Sequence, residues 1–183
     1  MVIQMIKPVY CDTDCLSSFI DVNQIDLLKL EFSKLIISSV VKEEFDQLPS
    51  NHHISRGLNK MIQEGFIEIY DMDVTSPEYE LYEKFLDEDE DVGEGELSVI
   101  VLCIVKEGIL ASNNFRDVCE YVKRYNLNHI TTSRILVKCY EDRHIDLNKG
   151  NEIWKDMIDK RIRLPERTFE IYLGKKDPMC YGA

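Results

Sequence analysis

Five short apolar runs separated by amphipathic stretches constrain this chain more than any other feature. They fall at residues 8–11, 35–38, 67–70, 109–112 and 129–132, the last being the least apolar. Continuous apolar runs of this length suit strands covered on both faces. Between them the spacing predicts helices over 16–32 (broken near Asp21-Val22-Asn23), 40–47, 54–64, 77–86, 97–105, 118–125, 133–140 and 147–162. Pro49, Gly65 and Gly108 supply stops, and Ser76 before Pro77 supplies a cap with proline at the first helical position. This alternation implies an α/β fold, a parallel sheet covered by helices.

At 183 residues the chain fits one domain with a substantial core, and it holds no internal repeat or long Gly/Ser/Pro linker. No apolar run approaches the roughly 20 residues of a membrane span. The N-terminal run Met1-Val2-Ile3-Gln4-Met5-Ile6 has no basic leader or small-residue cleavage site, so a cytoplasmic protein is expected. Cys11, Cys103, Cys119 and Cys139 sit in apolar segments, and no C-x-x-C occurs, which reads as reduced core thiols.

Charge is unevenly spread. Residues 1–100 carry 22 acids against 7 Lys/Arg, and the remainder 12 against 15, for a net charge of −12. That sign argues against tight nonspecific nucleic-acid binding by the whole chain. It favours a cationic partner or a divalent metal and leaves room for a local basic face.

The acids that matter stand at junctions. Asp12 ends the first apolar run, at the carboxyl edge where open α/β sheets bind ligands, and a carboxylate there needs a cation or donor. Glu44, Glu96 and Asp117 occupy comparable junctions or first helical turns. Four carboxylates at one edge repel one another unless a hard cation sits among them, and oxygen ligands suit Mg²⁺ or Mn²⁺. Such an ion lowers the pKa of water and stabilises charge on a phosphoryl oxygen, which is the chemistry of phosphodiester hydrolysis. Asp14 can share this site or cap the following helix. In the acidic run 87–96, residues 87–91 read as a solvated loop, whereas Glu96 opens an apolar helix that carries it toward the edge.

These residues resemble a family. Val9-Tyr10-Cys11-Asp12-Thr13-Asp14-Cys15-Leu16 is similar to the opening strand and helix start of PIN-domain nucleases. Val41-Lys42-Glu43-Glu44-Phe45 is similar to their second motif. The segment from Gly93-Glu94-Gly95-Glu96-Leu97 to Cys103 resembles their Gly-Glu motif, with Glu96 in the ligand position. Ser112-Asn113-Asn114-Phe115-Arg116-Asp117-Val118 resembles the Thr-x-Asn-x-x-Asp segment of toxin-type, VapC-like members. The resemblance spans about residues 7–135. It implies a three-layer α/β/α sandwich around a central, mainly parallel sheet of four to five strands. It also implies a Mg²⁺- or Mn²⁺-dependent endoribonuclease using Asp12, Glu44, Glu96 and Asp117, with Asp14 and Asn114 as accessory groups. A toxin of this type pairs with a small antitoxin protein. Many relatives carry paired acids where this chain has Asn113-Asn114.

The nuclease domain is expected over residues 1–146, with 147–183 as a helical extension packed on it. In that extension Arg161, Arg163, Arg167, Lys175 and Lys176 occur with Trp154, Phe169 and Tyr172. Basic groups with aromatics bind phosphates and stack bases, so Arg161 and Arg163 are candidate RNA contacts; the alternative is an amphipathic helix with a solvated basic side. Lys123, Arg124, Arg134, Lys138 and Arg143 are available to extend a basic face. The histidines, including His52-His53, read as solvated.

Two rival readings stay open. Asp12-Thr13-Asp14 resembles the D-x-D of haloacid-dehalogenase-type phosphatases, with Ser38 in the place of the second motif. A PIN-like fold with an impaired site, kept for binding RNA or protein, is motivated by Asn113-Asn114. Apolar helices near the N-terminus leave a homodimer open.

Overall fold

The computed structural model describes residues 7–175. The N-terminal run 1–6 and Lys176 lie outside the described residues. Five strands, β1 (Val9–Cys11), β2 (Leu35–Ser38), β3 (Ile67–Tyr70), β4 (Ile109–Ala111) and β5 (Asn128–Ile130), form one sheet in the order β3-β2-β1-β4-β5. Every pairing is parallel, with Tyr10 opposite Ile36 on one side and Leu110 on the other. The expected strands are present to within a residue or two. β5 begins one residue earlier than the apolar run suggests, because Asn128 pairs with Ile109.

Helices cover the sheet to complete the α/β/α sandwich. The long first segment divides into α1 (Thr13–Asp21) and α2 (Ile25–Glu31), broken where Asn23 takes a left-handed φ of 54°. There follow α3 (Ser39–Asp46), α4 (His53–Gln63), α5 (Pro77–Glu88), α6 (Glu94–Lys106), α7 (Phe115–Tyr125), α8 (Thr132–Glu141), α9 (Leu147–Asp159) and a short α10 (Phe169–Leu173). α1 packs on α2, α4 and α8, while α6 packs on α5, α7 and strands β1, β2 and β4. α6 is buried without interruption from Leu97 to Cys103, as its apolar sequence requires. It begins a turn earlier than the apolar pattern, so Glu96 lies inside its first turn. Gly108 follows α6 for a reason other than backbone freedom. Glu107 takes the left-handed cap, and a methyl on residue 108 would meet the Pro8 carbonyl oxygen at 2.9 Å.

α9 and α10 join the same hydrophobic core through Trp154, Met157, Phe169 and Tyr172. This corrects one expectation. Trp154 and Phe169 are fully buried and Tyr172 nearly so, which leaves none of them as a platform for bases. Ser38 is structural as well: its hydroxyl caps α3 and meets Ser98 Oγ at 2.6 Å. The cysteines are free thiols among the described residues, four of them buried and Cys119 partly so. No helix among the described residues is long and apolar enough to cross a membrane.

The strand order fixes where a ligand would sit. Chain progression runs outward from β1 in one direction through β2 and β3, then resumes on the other side through β4 and β5. Helical connections therefore diverge between β1 and β4, opening a crevice at their carboxyl ends.

Candidate functional site

Asp12 and Ser112 directly follow the two strands that flank that crevice. The Asp12 backbone N–H donates to Ala111 O at 3.0 Å, which locks the two strand ends together. Its side chain caps α1, with Oδ1 accepting the Cys15 N–H at 2.7 Å. Asp12 is only 4% exposed. Burial pushes its carboxyl up to about 7, the negative charges of Asp14 and Glu44 add to this, and hydrogen bonds from Ser112 and the Cys15 N–H oppose it.

Glu96 reaches the same place from α6. Ser112 Oγ donates to its Oε1 at 3.1 Å and Asn114 Nδ2 donates to its Oε2 at 3.1 Å. Burial, and after it the charge of Asp12, push the Glu96 carboxyl up to about 8. The groups acting on both acids are neutral donors and other carboxylates, with no lysine or arginine among them.

The other two acids flank this pair. Asp117, half-buried on the first turn of α7, accepts from the same Asn114 amide that holds Glu96. Glu44 on α3 accepts from the Thr13 hydroxyl and, at 3.1 Å, from the Gly95 N–H. A methyl on residue 95 would overlap the Glu44 carboxylate, so glycine lets that carboxylate touch the α6 N-terminus. Unpaired N–H groups and the helix dipole there favour negative charge. The acids thus form a chain from Glu44 through Asp12 and Glu96 to Asp117. Among the described residues, no three His, Cys, Asp or Glu side chains gather closely enough to hold a metal ion between them.

Asp14 is exposed, and its backbone carbonyl rather than its carboxylate makes the local bonds, accepting from Ser18 Oγ at 2.7 Å. Asn113 and Asn114 have separate tasks. Asn114 joins two acids, whereas Asn113 accepts the Thr132 N–H at 2.9 Å and donates to Ser18 Oγ at 3.2 Å, tying α8 to α1. Ser112 and Thr13 did not emerge from the sequence as site residues. The available signal was positional, since Ser112 follows β4 as Asp12 follows β1.

Arg161 and Arg163 are exposed between α9 and α10 and make no bond to the acids. Lys138 is drawn away from any basic face by Glu31 at 2.9 Å and by Asp142. All four histidines have structural partners rather than solvent alone, His144 Nε2 lying 3.7 Å from Glu31 Oε1. His52 Nδ1 caps α4, His53 Nε2 meets Asp21 Oδ1 at 2.6 Å, and His129 Nε2 meets Ser112 O at 2.9 Å.

A family model described as PIN domain matches residues 8–177, and the chain belongs to the PIN domain family. The match continues through α9 and α10, past residue 146. No curated protein matches the chain. Among solved structures, the chain is similar to one in VapBC2 of Rickettsia felis bound to a DNA fragment from its promoter. The identity is 20%, the TM-score 0.49, and the alignment covers 67% of this chain and 97% of the other. It is also similar to a chain in DNA-bound VapBC of Salmonella typhimurium, at 13% identity and a TM-score of 0.48, covering 69% and 99%.

Proposed function

We propose that this chain is a Mg²⁺- or Mn²⁺-dependent endoribonuclease whose reacting phosphate lies in the crevice beyond β1 and β4. One observation carries the reading. Asp12 and Glu96 are desolvated carboxylates with carboxyls raised to about 7 and about 8, and among the described residues no lysine or arginine is a main influence on either. Two acids in that condition are suited to a hard divalent ion, which is bound through one or two carboxylates plus waters and substrate phosphates. The absence of a three-ligand group is compatible with that style of binding. Asp12 and Glu96 would hold the ion directly, with Asp117 and Glu44 flanking it.

When bound, the ion supplies a hydroxide-like water at neutral pH and neutralises charge on the phosphoryl oxygen. The chain's own groups set the stage. Ser112 Oγ and Asn114 Nδ2 donate to Glu96 and so aim its oxygens. Such partners of ligating carboxylates fix orientation and tune affinity. Asn113 holds the α1 and α8 ends of the crevice together, and Gly95 leaves space for the Glu44 carboxylate.

RNA as substrate, and pairing with a small antitoxin, rest on the similarity of the Asp117 segment to toxin-type members of the family. On the same reading, residues 1–146 carry the nuclease and the chain from 147 onward is an extension of it. Family membership gives no support to the phosphatase reading, and the exposed Asp14 carboxylate does not share a bond with Asp12.

The test is cleavage of a single-stranded RNA. The wild-type chain should cut with Mg²⁺ or Mn²⁺ and stop in EDTA. Asp12→Asn should lose cutting by well over the roughly 10- to 100-fold expected for a partner of a ligand, with its melting transition intact. Equal activity in the two proteins would end the assignment. A binding module with an impaired site is the second reading, motivated by Asn113-Asn114 and by the lack of a three-ligand group among the described residues. It predicts folded protein that binds RNA with no metal-dependent cleavage.

A further inference from the structure

We infer that the segment from Lys160 to Arg167 is a preformed cationic edge that grips the phosphate backbone of single-stranded RNA. The choice of RNA over other polyanions rests on the ribonuclease reading above, while the edge itself rests on separate observations. The first is its local balance. In a chain of net charge −12, residues 160–167 hold Lys160, Arg161, Arg163 and Arg167 against a single acid, Glu166.

The second is that three of the nearby acids are already engaged. Asp159 pairs with Lys155, Glu166 pairs with Lys175, and Glu152 takes Lys149 at 3.4 Å. Among the described residues, Lys160, Arg161, Arg163 and Arg167 make no ion pair, although their lysine neighbours on α9 do. An amphipathic helix with a merely solvated basic side would be expected to mix its charges, as α9 itself does.

The third is rigidity. α9 ends in a turn where Arg161 takes a left-handed φ of 65°. The Arg161 N–H donates to Ile158 O at 2.8 Å and the Ile162 N–H to Met157 O at 3.0 Å. Ile162 and Leu164 pack against the core, so the intervening Arg161 and Arg163 are turned outward and exposed. Further along, the buried Trp154 indole donates to Glu166 O at 2.9 Å, and Thr168 caps α10 beside Arg167. The backbone is therefore pinned on both sides of each arginine. A fixed backbone lowers the ordering cost of binding.

The residue type points to phosphate. A guanidinium presents a planar fork of donors that matches phosphate oxygens in pairs, and it gives up its hydration more readily than an ammonium. With the aromatics buried, the contact is to the backbone and carries no base preference. This edge also reconciles a strongly acidic chain with a polyanionic substrate, since the N-terminal hundred residues hold most of the negative charge.

The experiment is fluorescence anisotropy of a labelled single-stranded RNA with the full chain in EDTA, where nothing is cut. It compares wild type with the triple variant Arg161→Glu/Arg163→Glu/Arg167→Glu at several salt concentrations. All three side chains are exposed, so the variant should melt as wild type does. Single-strand phosphate contacts each contribute about 0.7 to the slope of log affinity against log salt. The variant should therefore lose at least about tenfold in affinity at low salt, and its slope should be shallower by about 2. An Arg→Lys triple variant should keep most of the slope while binding less tightly. Unchanged affinity and slope in the charge-reversed chain would overturn the proposal. So would tighter, arginine-dependent binding to phosphatidylserine vesicles than to RNA. Arginine-dependent binding without any Mg²⁺- or Mn²⁺-dependent cutting would uphold the edge and remove the ribonuclease reading. Cutting with an unaffected triple variant would do the reverse.

Discussion

Two buried carboxylates of this fold, Glu78 and Asp12, have different surroundings. Glu78, on the first turn of α5, is 3% exposed, yet its Oε1 takes the Tyr70 hydroxyl at 2.5 Å and the Lys106 amine at 2.9 Å. The Tyr70 hydrogen bond, with help from Lys106, holds its carboxyl below the usual range. Asp12 is as little exposed, at 4%, and burial above all pushes its carboxyl up to about 7, with only neutral donors and other acids acting on it. Where the fold needs a buried acid for its own stability, the chain supplies the cation. At Asp12 the fold supplies neutral donors instead, from Ser112 and the Cys15 N–H. Glu31 follows the first pattern, with Lys138 Nζ at 2.9 Å from a side chain only 1% exposed.

The comparison breaks most visibly in activity. Glu96→Gln should abolish metal-dependent RNA cutting as thoroughly as Asp12→Asn, whereas Glu78→Gln should leave it intact at temperatures where the protein is folded. Steady-state cleavage assays on the three variants check this. A smaller loss, roughly 10- to 100-fold, is expected for Asn114→Ala, which frees Glu96 and Asp117 from their common amide. Gly95→Ala should fall in the same range or below it, through displacement of Glu44, with almost no change in melting temperature.

Stability supplies a finer contrast, because one chemical change should act with opposite signs. At pH 8 in EDTA, Glu78→Gln removes a carboxylate whose lysine partner is partly exposed and should lower the melting temperature by roughly 2–4 °C. Asp12→Asn removes one that lacks a cation while keeping a good helix cap, and should raise it by a similar amount. Differential scanning calorimetry of the two amides decides it; two losses would refute the contrast.

The slope with pH draws the same contrast by another route. Asp12 and Glu96 keep their protons to about 7 and about 8 in the folded chain, against ordinary values of 3.8 and 4.5. Between those limits the folded state binds more protons than the unfolded one, so metal-free stability falls as pH climbs from about 4 to about 8. Glu78 runs the other way. Its contribution is complete above the ordinary carboxylate value and is lost as pH falls through its depressed folded one. Melts in EDTA from pH 4 to 9 should show the decline in wild type and a flatter curve in Asp12→Asn/Glu96→Gln.

What was legible in the chain followed from periodicity. Continuous apolar runs located the strands, and the junction position of Asp12 put it at the carboxyl edge of the sheet before any strand order was known. The same logic failed where a residue's partner is distant in sequence. Glu78 and Glu31 sit on amphipathic helices, where charged residues read as solvent-facing, and Lys106 ends the apolar α6; only the packing of α5 on α6 and of α2 on α8 turns the two acids inward. Ser112 and Thr13 carry no motif of their own, since a hydroxyl becomes a site group only when a carboxylate is brought beside it. α10 is a five-residue helix, too short to register against a 3.6-residue period. Trp154, Phe169 and Tyr172 left two readings open, a nucleic-acid surface or the packed side of an amphipathic helix, because basic residues are interleaved with them in sequence. The alternation that separates Arg161 and Arg163 from Ile162 and Leu164 is visible only once the segment is seen lying on the core.

The central claim is that Asp12 and Glu96 take their cation from solution. Thermal melts across a Mg²⁺ or Mn²⁺ titration at pH 8 address it without any substrate. At a concentration about a hundred times the dissociation constant, binding to the folded state contributes about 2.7 kcal/mol, a rise of roughly 5–10 °C for a chain of this size. The account predicts that rise in the wild-type chain and its disappearance in Asp12→Asn/Glu96→Gln. An equal rise in both proteins, or none in the wild type, would contradict it.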